Sequence, residues 1–325
     1  MRTIFESMEH AAAIGIGGHV RPDGDCVGSC LALCYYLKKK YPNKKVDVYL
    51  EYVQDEFLFL PNSSLVKQTI DGSEKPVYDL FFALDSGDLD RLGFSEPLFH
   101  NAGRTVNIDH HITNQGFADI NFIKPEASST CEVLMDLLER DLLDTDLATC
   151  LYLGMIHDTG VFKHSNTTRH TMELAAVLIS YDVPFSKIID ETFYQKTYLQ
   201  NQILGRCLLE SFMVLEGKCV VSYVKKETMD FYGAGSKDLD GVVDQLRVTK
   251  GVEVAILIHE TGPLVHKVSM RSNHDVDVSA VAKQYGGGGH VKAAGCTVYG
   301  TIYDVINNIT VHIEEQLKKL DTLRS

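Results

Sequence analysis

The 325-residue chain carries 44 acidic against 31 basic side chains, a formal net charge of −13, with 45% hydrophobic and 23% charged residues. This composition supports about two globular domains with real cores. It weighs against a binder of long nucleic acid, which must neutralise many phosphates with Lys and Arg.

In chain order, the early acidic residues of "MRTIFESMEHAAAIGIGG" and its lack of a clear small-residue cleavage site argue against a secretory signal. No later apolar run approaches the roughly 20 residues of a membrane span, so no membrane association is expected. "AAIGIGG" reads as a strand. It runs into the turn "GGHVRPDGDCVGS", Gly17 to Ser29, which holds His19, Asp23 and Asp25, and a helix is expected over 27–40. Cys26, Cys30 and Cys34 recur at helical spacing and read as small core residues. The eight cysteines form no CxxC pair, which fits a reducing cytoplasm. The basic run 37–45 reads as a solvated helix end. "KVDVYLEYV", the apolar run 77–84 that ends at Asp85, and "RTVNIDHH" all read as strands. Ser129 to Glu132 fits a capping box, and Val133, Leu134, Leu137 and Leu138 follow at helical spacing. "ATCLYLGMIHDTGVF" reads as a further apolar strand ending at His157 and Asp158. "SNTTRHT" precedes a helical pattern, where its hydroxyls could cap the helix or meet a phosphate. The stretch 185–212 reads as one long connecting helix with a hinge. Beyond it "KCVVSYVKKE", "GVEVAILIHE" and "LVHKVSMRSN" are strand-like, "VSAVAKQYGGGGH" is a helix ending in glycines, and a last helix covers 302–323.

The expected fold is α/β. A mainly parallel sheet flanked by helices spans 1–184, a helical linker spans 185–212, and a smaller α/β domain spans 213–325, with the active-site cleft between the domains. His19/Asp23/Asp25, Asp85, Asp109/His110/His111 and Asp158 are each read at the carboxyl end of a strand, where open α/β sheets bind ligands. Taken singly, each has an ordinary reading as a turn or cap residue. Converging carboxylates, however, repel one another unless protons or cations compensate. Hard carboxylates with imidazoles and no thiolate suit Mn²⁺, with Mg²⁺, Co²⁺ or Fe²⁺ behind it. The ligands outnumber the needs of one ion and suit two ions about 3.5–4 Å apart sharing a carboxylate. "GGGGH" admits a helix end with permissive glycines or a backbone cradle for an anion beside His290. Arg271 is the candidate for a bidentate phosphate or base contact.

The ordered motifs "GHVRPDGDCVGS", "ALDSGD", "NIDHH" and "HDTG" resemble the DHH phosphoesterase superfamily. "RSN" at 271–273 and "GGGGHVKAAG" at 286–295 resemble its DHHA1 domain. The resemblance implies one metal on His19, Asp23 and Asp85 and a second on Asp25, Asp85, His110 and Asp158, with Asp85 bridging. It makes His111 the residue facing the substrate phosphate, as a hydrogen-bond donor or a proton donor to the leaving oxygen, and Asp109 the residue that orients a histidine ligand. Arg271, Ser272, Gly287, Gly288, Gly289 and His290 would bind substrate. His157 departs from the small polar residue usual beside the last aspartate; it either tunes the site or packs, with packing the favoured reading. A compact DHH–DHHA1 chain is similar to the NrnA-type nano-RNases, which act on short oligoribonucleotides and on 3′-phosphoadenosine 5′-phosphate (pAp). Short RNA or nucleotide is therefore the expected partner, and a homodimer is possible. Rival readings are a cyclic di-AMP phosphodiesterase, a pyrophosphatase-type hydrolase, a RecJ-type exonuclease and a nucleotide sensor without turnover.

Overall fold

The computed structural model describes residues 2–70 and 76–324, and the chain forms two compact units, Met1–Gln195 and Lys196–Ser325. The first unit runs α1 (Arg2–His10), β1 (Ala13–Gly17), α2 (Gly24–Lys40), β2 (Lys45–Tyr49), β3 (Val66–Lys67), β4 (Leu80–Leu84), α3 (Glu96–His100), β5 (Thr105–Asp109), β6 (Ile120–Ile123), α4 (Thr130–Leu137), α5 (Thr145–Asp158), α6 (Arg169–Ile179) and α7 (Phe185–Ile189). Its sheet has the order β3-β2-β1-β4-β5-β6, and every pairing is parallel. Strand β4, "LFFAL", is buried throughout, as a parallel strand covered on both faces must be. Leu80, Phe82 and Leu84 join the core under α2, α4 and α5, while Phe81 and Ala83 pack with Tyr49, Tyr78, Leu98 and Phe99 on the other face. The chain leaves β1 toward β2 on one side and returns through β4 on the other. The carboxyl ends of β1 and β4 therefore flank the point where strand order reverses, the place such a sheet leaves open for a ligand.

Helix α2 begins three residues earlier than its apolar pattern suggests. The Asp23 side chain accepts from the backbone N–H groups of Asp25 and Cys26 and caps it. Cys26, Cys30 and Cys34 are buried core residues, as their spacing implies. The segment reaching Asp158 is helix and not strand. Leu147 to Ile156 are all buried in α5, which packs against α2, α4 and α6. A helix covered on every side loses the 3.6-residue periodicity that marks an amphipathic one.

The stretch 185–212 is also not one helix. Helix α7 passes into a π-turn over Asp190–Tyr194 and an extended Gln195. A new helix, α8 (Tyr198–Leu209), then starts with Thr197 and Gln200 in a reciprocal capping box. Its Ile203 and Cys207 belong to the core of the second unit. That unit continues with β7 (Phe212–Val214), β8 (Cys219–Val224), α9 (Lys226–Tyr232), α10 (Val242–Arg247), β9 (Val254–Gly262), β10 (Val265–Ser272), α11 (Val278–Lys283), β11 (Gly288–His290), β12 (Ala293–Tyr299) and α12 (Ile302–Arg324). Its sheet order is β11-β12-β10-β9-β8-β7, with only β8 and β9 parallel. One face carries α11 and α12 over Val268, Met270 and Cys296, and the other carries α8 and α10 over Val220, Ala255 and Leu257.

Candidate active site

Four chain segments deliver the acidic and imidazole groups of the first unit to one place. His19 follows β1, and Asp23 and Asp25 occupy the cap and first turn of α2. Asp85 follows β4, Asp109 ends β5 with His110 and His111 after it, and Asp158 ends α5. Some of the chain's backbone strain lies here. Asp85 has φ of 53°, and Gly160, Val161 and Phe162 form a left-handed run directly after the Asp158–Thr159 step. A β-branched residue in that region is costly, and such outliers persist where the surrounding structure holds them.

The Asp85 carboxylate, 2% exposed, faces His19 with one oxygen and both His110 and His111 with the other, His111 Nδ1 lying 3.7 Å from Oδ1. Oδ2 lies 3.4 Å from His19 Nε2 and Oδ1 lies 3.6 Å from His110 Nε2. His19 Nε2 is 3.7 Å from Asp23, and His110 Nε2 is 2.9 Å from Asp158. Asp25 is fully buried and accepts from the backbone N–H of Thr130 at 2.6 Å and Cys131 at 3.0 Å. These are the first residues of α4, where helix N–H groups favour an anion. Burial and the neighbouring Asp85 and Asp158 nevertheless push the Asp25 carboxyl well above the usual carboxylate range. Burial pulls the His110 imidazole down, but the bond to Asp158 and the charges of Asp25, Asp158 and Asp85 outweigh it and lift it to about 10.

Among the described residues, the ion-pair partners of Asp23, Asp85 and Asp158 are histidines. Donor atoms of Asp85, His110 and His111, and of Asp25, His110 and Asp158, lie within 4.8 Å of one another. Buried acids crowded around imidazoles without Lys or Arg fit divalent cations better than they fit any other occupant.

His111 is held chiefly by another carboxylate. Its Nδ1 binds Asp109 Oδ1 at 2.7 Å, which leaves Nε2 as the ring nitrogen for another partner, and the side chain is 39% exposed. The bond to Asp109 raises the His111 pKa. Burial would raise Asp109, but hydrogen bonds from His111 and Asn114 hold it low. Asp109 thus orients His111 rather than a metal-facing histidine. His157 packs as the sequence reading holds. Its ring meets Phe57 and Phe193 at centroid distances of 5.0 and 4.4 Å, and Nε2 lies 3.1 Å from the Thr192 hydroxyl. It also fills the space a side chain on Gly24 would need, since a Cβ there would come within 2.2 Å of the ring. The "SNTTRHT" hydroxyls cap α6 through Thr168 and Thr171.

The family model for the DHH family, N-terminal domain, matches residues 13–155, and the DHHA1 domain model matches 216–319. The bifunctional oligoribonuclease and PAP phosphatase NrnA of Thermus thermophilus is 31% identical over 311 residues, covering 94% of this chain and 90% of that protein. The chain belongs to the DHH family. The Bacillus subtilis protein of the same name is 25% identical, covering 93% of both chains. An exopolyphosphatase-related protein from Bacteroides fragilis shares the fold, with a TM-score of 0.84 at 24% identity over 97% of this chain and 95% of that one. As a DHH family member with a DHHA1 domain, the chain is a metal-dependent phosphoesterase.

In the DHHA1 unit, Arg271 lies near the end of β10. Its Nε donates to Asp244 at 3.2 Å and its Nη1 to the Met270 carbonyl. Arg247 approaches the same Asp244 at 3.7 Å. Ser272 is 3% exposed and its hydroxyl lies against Glu253, whose carboxylate also accepts from the backbone N–H of His274, Asp275 and Val276. Ser272 is thereby engaged inside the fold.

The four glycines separate into distinct jobs. Gly286, at φ of 70°, ends α11 in a Schellman motif, with Gly286 N–H donating to Lys283 and Gly287 N–H to Ala282. A Cβ on Gly287 would lie 2.2 Å from the Gly295 carbonyl oxygen, and one on Gly289 would lie 2.4 Å from that of Ala293. Both let β11 lie close on β12. Gly288 has open space where a Cβ would go, and His290 is exposed beside it.

Three further residues bond to these groups, and the sequence reading assigns none of them to the site. Thr130 donates its hydroxyl to Asp85 at 3.0 Å, and Asn114 donates to Asp109 at 2.6 Å. Asn166 donates to the carbonyls of Asp158 and Ser128.

Proposed function

We propose that this chain hydrolyses short oligoribonucleotides and dinucleotides such as pApA, and removes the 3′-phosphate of pAp, with two divalent cations of which Mn²⁺ is preferred. The observation that carries this reading is the Asp85 carboxylate, which turns one oxygen to His19 and the other to His110. His19, Asp23 and Asp85 would hold one ion, and Asp25, Asp85, His110 and Asp158 the other. Bound cations would supply charge neutralisation and an activated water for in-line attack on phosphorus. His111, fixed through Nδ1 by Asp109, presents Nε2–H to the phosphoryl oxygens and to the departing ester oxygen. Arg271 would take a terminal phosphate or base edge; because Asp244 occupies its Nε, an anion there must compete with that carboxylate. His290 and the Gly288 N–H would assist. The names of the T. thermophilus and B. subtilis relatives support the substrate class.

The test is a ranking of kcat/KM with Mn²⁺ for pApA, pAp, longer oligoribonucleotides, cyclic di-AMP and pyrophosphate. The proposal expects pApA and other short oligomers first, with pAp turned over by the same site. Preference for pyrophosphate or for cyclic di-AMP would replace it with the corresponding rival.

A further inference from the structure

Cys26 is the one group at this centre for which hard-metal hydrolysis has no use. Its Sγ, a His19 ring nitrogen and an Asp85 carboxylate oxygen all lie within 4.8 Å of one another. The three residues are buried, at 0%, 4% and 2% exposure. The thiol's contact with the His19 carbonyl oxygen is 4.0 Å, a weak bond that a stronger partner would displace. Room for the sulfur comes from Gly18, where a Cβ would sit 2.3 Å from Cys26 Sγ. Asp23, the carboxylate on the other side of His19, is 58% exposed and 3.7 Å away. It is the most exchangeable donor of that half of the centre.

Resting on the metal-centre reading above, we propose that His19, Cys26 and Asp85 form a second coordination mode of this centre, selective for thiophilic divalent cations such as Zn²⁺ and Cd²⁺, in which Cys26 replaces Asp23 and turnover stops. Hard cations prefer carboxylate and leave the thiol alone, whereas a borderline-soft cation gains a sulfur bond. Tetrahedral zinc with bonds of about 2.0–2.3 Å sets its donors about 3.3–3.8 Å apart. The three donors therefore need to close by no more than about 1.5 Å from their 4.8 Å limit. As the metal–sulfur bond forms, the thiol proton leaves to solvent and no redox change occurs. Three protein ligands leave one position for water, and without Asp23 the ion on the His19 side would be held in a different donor set from the hydrolytic one.

The test is a Cd²⁺ titration of the full chain, read by the ultraviolet thiolate-to-cadmium charge-transfer band and, in parallel, by calorimetry. The expected result is a band saturating at one thiolate per chain, lost in Cys26→Ser and Cys26→Ala and kept in Cys30→Ser. Mn²⁺ binding by the Cys26 variants shows that they are folded. Zn²⁺ should inhibit the Mn²⁺ enzyme, with at least a tenfold higher inhibitory concentration in Cys26→Ser. Cd²⁺ binding without the band, or a band that survives in Cys26→Ser and disappears in Cys30→Ser, overturns the proposal while leaving the Mn²⁺ centre intact. Failure of both Mn²⁺ and Cd²⁺ to bind would overturn the metal centre itself.

Discussion

His111 and His110 are sequence neighbours held by different carboxylates, Asp109 at 2.7 Å and Asp158 at 2.9 Å. The Asp109 contact at 2.7 Å ties up Nδ1 of His111 and raises its pKa above the ordinary imidazole value. Removing a proton donor of this kind costs about 10²–10⁴-fold in rate. His111→Ala should lose activity on that scale while binding the same number of ions by calorimetry. Asp109→Asn, which loosens the ring without deleting it, should cost about 10–100-fold. His110 behaves differently. Its pKa of about 10 in the metal-free chain means that it is protonated at pH 7, and a metal accepts only the neutral ring. Burial and the charge of Asp85 also lift Asp158, against the His110 bond, to about 6. Metal binding must therefore release protons, and affinity must fall as pH falls. Calorimetry in buffers of different ionisation enthalpy should show net proton release near neutral pH. An affinity that rises on acidification would refute the assignment of His110 as a ligand.

At the level of elements, the glycine segment makes a graded prediction. Gly289→Ala puts a side chain at φ of 140° and against the Ala293 carbonyl, which should cost about 1–3 kcal/mol or more in urea denaturation. Gly288→Ala meets nothing and should change stability by less than about 0.5 kcal/mol; a raised KM in that variant would then report on substrate. Acid sensitivity belongs to α5. Burial depresses His157 to about 4, so its neutral form is the one the fold accepts. Stability is complete above about pH 6.5 and falls as pH drops toward 4, because the unfolded chain takes up the proton first. His157→Phe should flatten that acid limb. The elements also show what the sequence concealed. Strands β1, β4 and β5 were legible because apolar runs stop abruptly at His19, Asp85 and Asp109. Helix α5 was not, since burial on all sides removes periodicity. The break at 195–197 was hidden because α7, the π-turn and α8 carry similar composition, and only the Thr197–Gln200 capping pair marks the restart. The acidic and imidazole groups that the structure brings together were readable from residue type, whereas Thr130 and Asn114 act through positions that only the fold creates. Three of the four glycines proved to have work in the backbone, which four consecutive glycines alone do not disclose.

For the whole molecule, a net charge of −13 makes a localised cation centre the natural way to attract phosphate, since the rest of the surface offers little to a long polyanion. No described helix is long and apolar enough to cross a membrane. Turnover should accordingly decline as the oligonucleotide lengthens, and kcat/KM for a long single strand should fall far below that for pApA. The central claim is that one carboxylate, Asp85, serves two cations that together hydrolyse a short phosphodiester. The most direct measurement is AMP release from pApA by the wild-type chain and by Asp85→Asn, with and without Mn²⁺, alongside metal stoichiometry. The account predicts release that needs both Mn²⁺ and Asp85, with two ions bound by the wild type and fewer by the variant. Undiminished release by Asp85→Asn, or no release by a wild-type chain carrying two ions, would contradict it.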